Sequence, residues 1–341
     1  DGKPFVNMFT DSVGGGGARS FGDGIDTCGN LVAPGYAIPN VERIESLIPV
    51  LYLYRKERGG TAGAGTWRGG VGIEYMVKPH GTDRPVDVVF FGSGATHLET
   101  KGACGGFPGS VQRHLLLRGA DIAAGFQRGE IPAAADDVAS GAIEVPEAKS
   151  VAQLAHDDVW VCFCTGGGGF GDPLRREPER VRRDVHLSFC GAEEARSLYG
   201  VALRPDGEVD AVATEALRSR MRDDRLANGT RLGERPTAAF EGETLFPYGV
   251  SLAVRRTRSG PMIGCVECGT ALCPASEDPR SRALLVERRP DELSPLNRHA
   301  RNDEIVVRHF ACPSCATVFS TDVRLRGDDP RSPEMLLEAL D

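Results

Sequence analysis

Cys164-Thr165-Gly166-Gly167-Gly168-Gly169-Phe170-Gly171-Asp172-Pro173-Leu174 follows directly on Val159-Trp160-Val161-Cys162-Phe163. The first five residues are apolar and rich in β-branched and aromatic side chains, and read as a strand. Glycine alone takes positive φ without steric cost, so the run of four predicts a sharp turn that comes close to another surface. Pro173 fixes φ and stops the strand. From Arg176 to Tyr199 the chain is charged, with Val181, Val185, Leu187, Ala192, Ala195 and Leu198 at helical intervals. The local reading is strand, glycine hinge, helix. No Gly-Lys-Ser/Thr follows, so this is not a phosphate-binding P-loop, nor is it read as a dinucleotide fingerprint.

Length and composition bound the rest. The 341 residues suffice for two domains, and 40% apolar content is enough for a packed core. Forty-three glycines with 6% aromatics predict many turns and close backbone packing, not a helical bundle. A net charge of −8 argues against a general nucleic-acid binder. No apolar run is long enough to span a membrane and no signal peptide is visible, so a cytoplasmic location is expected. In that setting ten cysteines read better as metal ligands and buried thiols than as disulfides.

Upstream, Phe5 to Phe9 reads as a short strand. Gly14-Gly15-Gly16-Gly17-Ala18-Arg19, then Asp23 and Asp26, form a second glycine run beside charged residues. Backbone N–H groups of such a loop make an anion nest, and arginine forks onto carboxylate or phosphate. The plainer alternative is a solvated turn with one ion pair. Glu42 and Glu45 are acid/base or metal candidates, more often caps of a short helix. Val50–Tyr54, Val71–Val77, Val86–Phe91, His114–Arg118 and Ala142–Val145 read as strands. His80, His97, His114 and His156 lack partners at ligand spacing. A helix is expected within 205–225, and 226–246 reads as a linker.

Cys265-Val266-Glu267-Cys268 and Cys312-Pro313-Ser314-Cys315 are two Cys-x-x-Cys knuckles with 43 residues between Cys268 and Cys312. Two such turns bring four thiolates into a tetrahedron around Zn²⁺, a closed set that holds a fold and leaves no open position for catalysis. An iron–sulfur site or a redox pair are the rivals. Cys273, then His309, are the replacement ligands. Cys162 and Cys164 alternate on a strand, so their thiols face one side.

Several ordered motifs resemble the hydantoinase B/oxoprolinase family. These are Thr165 to Leu174; Val181-Arg182-Arg183-Asp184-Val185; Glu194-Ala195; Tyr199-Gly200-Val201; Gly63-Ala64-Gly65-Thr66-Trp67-Arg68-Gly69-Gly70-Val71-Gly72; and Gly105-Gly106-Phe107-Pro108-Gly109. The resemblance covers about residues 1 to 225. Ile305 to Cys315, followed by Thr321-Asp322-Val323, resembles the end of the small zinc-binding subunit of acetone and acetophenone carboxylases. The expected fold is α+β: a β-rich mixed-sheet domain with glycine-rich loops and a helical tail (1–225), the linker 226–246, and a small four-cysteine zinc-binding module (247–341).

The resemblance implies an ATP-dependent carboxylase complex acting on a ketone or related small carbonyl compound and bicarbonate. A hydantoinase A-type partner would use ATP with Mg²⁺ or Mn²⁺. The family's Asn-Asp-Pro-Tyr…Gly-Gly-Thr-His region does not occur in these residues and is expected from another chain, and the opening at Asp1 without Met fits a segment of a longer subunit. From residue type, Arg19, Asp23, Asp26 and Arg68 are the catalytic candidates. Gly14, Gly15, Gly16, Gly17, Gly166, Gly167, Gly168, Gly169 and Asp172 are the substrate- or anion-binding candidates. Cys265, Cys268, Cys312 and Cys315 are the zinc ligands. The alternatives are ATP-dependent ring opening of a lactam or hydantoin, and a non-catalytic zinc scaffold. Neither nucleic acid nor membrane is an expected partner.

Overall fold

The computed structural model describes residues 6, 13–30, 33–34, 38–92, 94–234, 240–299 and 303–330. The fold is α+β, with antiparallel sheets throughout. A five-stranded sheet runs in the order β3 (Val50–Arg58), β4 (Gly72–Pro79), β9 (Val159–Phe163), β6 (Arg113–Arg118), β7 (Ala142–Glu144). Central β9 is buried along its whole length, which is why its sequence is continuously apolar instead of alternating. Tyr75, Trp160 and Cys162 pack on one side of the sheet, and Met76, Val161 and Phe163 on the other. A two-stranded ribbon, β5 (Val86–Phe91) with β8 (Lys149–Leu154), covers the first side through Phe90 and Leu154. A two-residue pair, β1 (Gly29–Asn30) with β2 (Ala33–Pro34), lies upstream.

Two four-stranded sheets make up the C-terminal part. One is β10 (Thr230–Arg231), β15 (Leu284–Arg288), β16 (Ile305–Ala311), β17 (Val318–Leu325); the other is β11 (Glu243–Tyr248), β12 (Leu252–Thr257), β13 (Gly260–Cys265), β14 (Ala271–Pro274). The helices are α1 (Val41–Leu47), α2 (Ile122–Gln127), α3 (Pro178–His186), α4 (Ala192–Ser197) and α5 (Ala211–Asn228). The single helix expected from 176 to 199 is two, α3 and α4, separated by a turn in which Ser188 takes φ 60°. Asp210 caps α5 by accepting from the Ala213 N–H. Within 226–246, α5 ends at Asn228, Thr230–Arg231 pairs with β15, and Phe240 is buried. The strand expected at Phe5–Phe9 falls, Val6 apart, outside the described residues.

The glycine run after β9 is not a hinge. None of Gly166, Gly167, Gly168 and Gly169 takes a positive φ. What each position needs is the absence of a Cβ. A Cβ on Gly166 would sit 2.1 Å from the Thr61 oxygen, on Gly167 1.9 Å from the Gly16 oxygen, on Gly168 2.0 Å from the Lys101 oxygen, and on Gly169 2.2 Å from the Ala64 oxygen. The neighbour changes with each residue and returns to the 61–64 segment after three. That three-residue period is the one by which extended, three-per-turn chains pack when only glycine fits at the shared axis. Backbone hydrogen bonds close the bundle: Gly167 N–H donates to Gly70 O at 2.9 Å, Gly70 N–H to Gly16 O at 2.8 Å, Gly63 N–H to Gly167 O at 2.8 Å, and Gly169 N–H to Phe107 O at 2.9 Å.

A methyl group at position 167 therefore forces main chains apart. Gly167→Ala is expected to cost at least about 3 kcal/mol or abolish folding. Gly17→Ala, where a Cβ meets nothing within 4 Å, should stay within about 0.5 kcal/mol of the parent. Urea unfolding of the two variants checks this, and equal midpoints would overturn the glycine-packing account.

Candidate functional site

Beside the bundle, most of the sequence's charged candidates converge. Arg68 Nη1 donates to Asp26 Oδ1 at 2.7 Å and its Nε to Asp184 Oδ1 at 3.0 Å. Arg176 donates to both oxygens of Asp23, at 2.6 and 2.9 Å, and to Asp184 Oδ2 at 2.8 Å. Asp184 on α3 thus bridges two guanidinium groups, and Asp23 and Asp26 close the set from the N-terminal loop. The Arg68 N–H also donates to Asp23 Oδ1 at 2.9 Å, and the Val71 N–H to Asp26 Oδ1 at 2.9 Å. Burial alone would raise the Asp23 pKa; the hydrogen bonds and charge of Arg176, with the Arg68 N–H, outweigh it and hold the carboxyl below its ordinary value. Phe189 packs on the Arg68 guanidinium at 4.7 Å. Burial, with Asp184 and Glu194 nearby, pushes the Cys190 thiol up to about 12, so it stays protonated at neutral pH.

Three of the four catalytic candidates, Asp23, Asp26 and Arg68, meet here. Arg68 is turned inward onto carboxylates, away from the position of an anion clamp. Arg19 joins the network only through the main chain: its side chain is exposed, donates to the Asp23 backbone oxygen at 2.9 Å, and lies 5.1 Å from the Phe21 ring. Most of the glycine N–H groups expected to cradle an anion are committed to carbonyls. Gly14 donates to Gly29 O, Gly15 to Thr165 O and Gly16 to Ile25 O, besides Gly167 and Gly169 above. Glu45 Oε1 accepts from the Tyr52 N–H, and Asn40 caps α1 ahead of Glu42. Two open grooves, one of about 380 Å³ beside Glu45 and His80 and one of about 520 Å³ beside Arg256 and Met262, are lined by none of the network residues.

Asp172, expected among the anion-binding residues, is 1% exposed and holds the chain together instead. Its Oδ2 accepts from Arg225 Nη1 at 2.8 Å and from the Val318 N–H at 2.9 Å, and its Oδ1 accepts from the Leu174 N–H at 3.0 Å. Arg225 also donates to Ala316 O at 3.0 Å. Arg176, Asp184 and Arg225 are not among the candidate site residues read from the sequence, although Asp184 falls within the Val181–Val185 motif. Asp184 did carry a signal, since it falls three residues after Val181 on the apolar stripe of α3. The buried residues of α5 are Thr214, Arg218 and Arg225, which hydrophobic periodicity does not see.

The four cysteines form the second centre. Cys265 and Cys315 Sγ lie 3.7 Å apart, Cys268 and Cys312 Sγ 3.6 Å apart, and all four within 4.8 Å of one another. Sulfurs placed tetrahedrally at a Zn–S distance of about 2.3 Å would be about 3.8 Å apart, so the set fits a metal ion of that size. The knuckles match in backbone as well. Gly269 N–H donates to Cys265 O and Ala316 N–H to Cys312 O, with Gly269 at φ 68° and Ala316 at φ 57°. The Thr270 and Thr317 hydroxyls lie 3.2 and 3.3 Å from the second sulfur of each. Cys273 and His309 are outside the set; Cys273 Sγ lies 3.7 Å from Glu277 O, and the His309 ring stacks on Phe107 at 4.3 Å. Both knuckles are tied to the preceding part of the chain, one by Arg175–Glu267 at 2.9 Å and the other by Asp172 and Arg225. Cys162 and Cys164 do face one side, with Sγ atoms 3.9 Å apart and buried.

An α+β chain built on a glycine-packed bundle and carrying a four-thiol centre is thus defined by its own geometry. The hydantoinase B/oxoprolinase family profile matches residues 1–173, and the chain belongs to that family. It is 28% identical over 247 residues to the acetone carboxylase alpha subunit of Xanthobacter autotrophicus, covering 67% of this chain and 31% of that one. It is 28% identical over 257 residues to the acetophenone carboxylase delta subunit of Aromatoleum aromaticum, covering 72% and 36%. To the caprolactamase subunit beta of Pseudomonas jessenii it is 30% identical over 217 residues, covering 63% and 34%. Among solved structures, nucleotide-free acetone carboxylase superposes with a TM-score of 0.57 at 27% identity, over 66% of this chain and 32% of that one. The ATP-dependent caprolactamase of P. jessenii gives 0.50 at 26% identity, over 61% and 33%. The chain spans about a third of the length of these relatives. Among the described residues, no helix is long and apolar enough to cross a membrane.

Asp172→Asn leaves Arg225 buried without a counter-charge and is expected to cost about 3–5 kcal/mol in denaturant unfolding. A loss under about 1 kcal/mol would be that of a surface pair. The pH dependence has a defined sign. Because the folded Asp23 pKa lies below its ordinary 3.8, its contribution is full above that pH and is lost as pH falls through the lowered folded value. Asp23→Asn should therefore flatten the acid limb of the stability curve below about pH 4, and an unchanged limb would rule Asp23 out as its source.

Proposed function

We propose that this chain is part of an ATP-dependent, multi-subunit carboxylase that adds bicarbonate-derived CO₂ to a ketone or related carbonyl compound. The observation that carries the proposal is the buried join at Asp172, which locks the family's glycine bundle to a four-cysteine module. The relatives named above include two carboxylase subunits, and the stretch from Ile305 to Val323 resembles the small zinc subunit of such enzymes. A hydantoinase A-type partner supplies ATP use with Mg²⁺ or Mn²⁺, and another chain supplies the N-terminal hydantoinase B half. A cytoplasmic setting, which keeps thiols reduced and able to bind metal, goes with this reading.

In this reading zinc sits in the four-cysteine set and supplies rigidity, because four thiolates leave it no open position. The Asp23–Arg176–Asp184–Arg68–Asp26 network positions the N-terminal glycine loop and does not itself react, since each of its three carboxylates is hydrogen-bonded to a guanidinium group and Arg180, 3.9 Å from Asp23, offsets the third negative charge. Of the four candidates, Arg19, exposed beside the open space at Gly17, is the one left to meet an anion from a partner site. A second reading, ring opening of a lactam, is supported by the similarity to caprolactamase subunit beta.

The purified protein is expected to carry about one zinc per chain by metal analysis. Cys312→Ser should lose the metal and lower Tm, and a metal-free protein of undiminished Tm would remove the zinc assignment. With its co-purifying partners, ATP hydrolysis should depend on bicarbonate and on acetone or acetophenone, with label from bicarbonate appearing in a keto acid. Hydrolysis stimulated by a lactam and indifferent to bicarbonate would replace carboxylation with ring opening. No turnover in an assembled complex would leave a scaffold.

A further inference from the structure

The β5–β8 ribbon has a second face that nothing among the described residues covers. Its inner side chains, Phe90 and Leu154, are buried against Tyr75 and Trp160. Its outer side chains fall in three cross-strand rows: Asp87 with Gln153, Val89 with Val151, and Phe91 with Lys149. Val89, Phe91 and Val151 are 72%, 78% and 70% exposed. The register makes them neighbours, so they form one apolar patch and not three scattered residues. The ends of the patch are charged with opposite sign. Asp87 accepts from the Gln153 amide at 3.0 Å, and the Lys149 ammonium lies 5.4 Å from the Phe91 ring. Along the strands the two charges are four residues, about 14 Å, apart.

That layout is self-complementary in one orientation. Two such faces can stack at about 10 Å, as packed sheets do. If the two-fold axis crosses the strands at the Val89–Val151 row, each end of one ribbon lies over the opposite end of the other. Asp87 then comes against Lys149 and Phe91 of the second copy, at both ends, while the valines meet at the centre. An axis along the strands would instead bring Asp87 near Asp87. A two-fold interface must be built from one patch that matches itself, and the charge order of this ribbon meets that condition.

We propose that the outer face of the β5–β8 ribbon is a docking surface for a second copy of this chain, joined about a two-fold axis with Asp87 of each copy paired to Lys149 of the other. The proposal does not depend on the carboxylase reading. A face of six side chains is smaller than the roughly 800 Å² per partner of a standard stable interface. The dimer is therefore weak and concentration-dependent.

Sedimentation velocity on the purified chain, from micromolar to near-millimolar concentration, reads it directly. The expected result is a reversible monomer–dimer equilibrium that Phe91→Glu abolishes. Asp87→Lys and Lys149→Asp should each weaken the dimer at least about tenfold, since each sets like charges opposite one another. The double variant D87K/K149D should restore it. Mixing the two single variants should give a heterodimer stronger than either homodimer, because both of its end contacts are then of opposite sign. Far-ultraviolet circular dichroism checks that every variant is folded; all the changes lie on an exposed face. A chain that stays monomeric throughout, as it would if another part of a hydantoinase B-type subunit covers this ribbon, overturns the proposal. So does a dimer indifferent to Phe91→Glu and to the charge exchange.

Discussion

Main chain lies on main chain where Gly167 meets Gly16, Gly166 meets Thr61 and Gly168 meets Lys101, at separations that leave no room for a methyl group. Most of the remaining structure depends on that contact. Four segments distant in sequence come together there, and each can do so only because its neighbour lacks a side chain. The backbone hydrogen bonds and the tight fit supply the cohesion, and the apolar clusters of the five-stranded sheet and of α3 and α4 seal the bundle from outside.

Such a bundle needs fixing to its surroundings, and charge performs that task. Asp184 bridges Arg68 and Arg176, which in turn hold Asp26 and Asp23 and hence the loop bearing the first glycine run. Asp172, whose backbone oxygen accepts from the same Thr66 that Arg176 contacts, follows the second run, accepts from Arg225 on α5, and accepts the Val318 N–H beside a metal knuckle. Buried ion pairs add little net stability over apolar packing, but breaking one is expensive because the orphaned charge remains inside. They therefore act here as locks on relative placement. Each knuckle is closed by a left-handed residue, Gly269 or Ala316; the second is held by Asp172 and Arg225, the first by the Arg175–Glu267 pair.

A chain organised this way is suited to presenting rigid surfaces to partners. The committed glycine amides and the saturated carboxylates leave few groups in the described bundle free to react. Exposed Arg19, the open space at Gly17 and the apolar ribbon face all point outward, where another subunit or another copy can meet them.

The sequence by itself determined β9 and the β4 and β5 strands nearly to their ends, because β-branched runs bounded by glycine and proline have one reading. It determined the four-cysteine set, because two Cys-x-x-Cys turns have few uses, and family membership, because several motifs occur in order. Only the tertiary structure decided what the glycines do. A glycine tolerates a turn, an anion or a neighbouring backbone equally well, and which one it meets depends on segments some hundred residues away. The same holds for the charges. Arg68 and Asp172 looked like groups waiting for a ligand, and their ligands turned out to be Asp26, Asp184, Arg225 and the Val318 amide. A side chain's partner is a long-range contact that no local spacing encodes. The single helix expected after Arg176 failed because the chain turns at Ser188, where φ is 60° and the Phe189 N–H donates back to Asp184 O, a helix end that the apolar periodicity on either side does not mark; Gly59 leaves room for the Ser188 carbonyl.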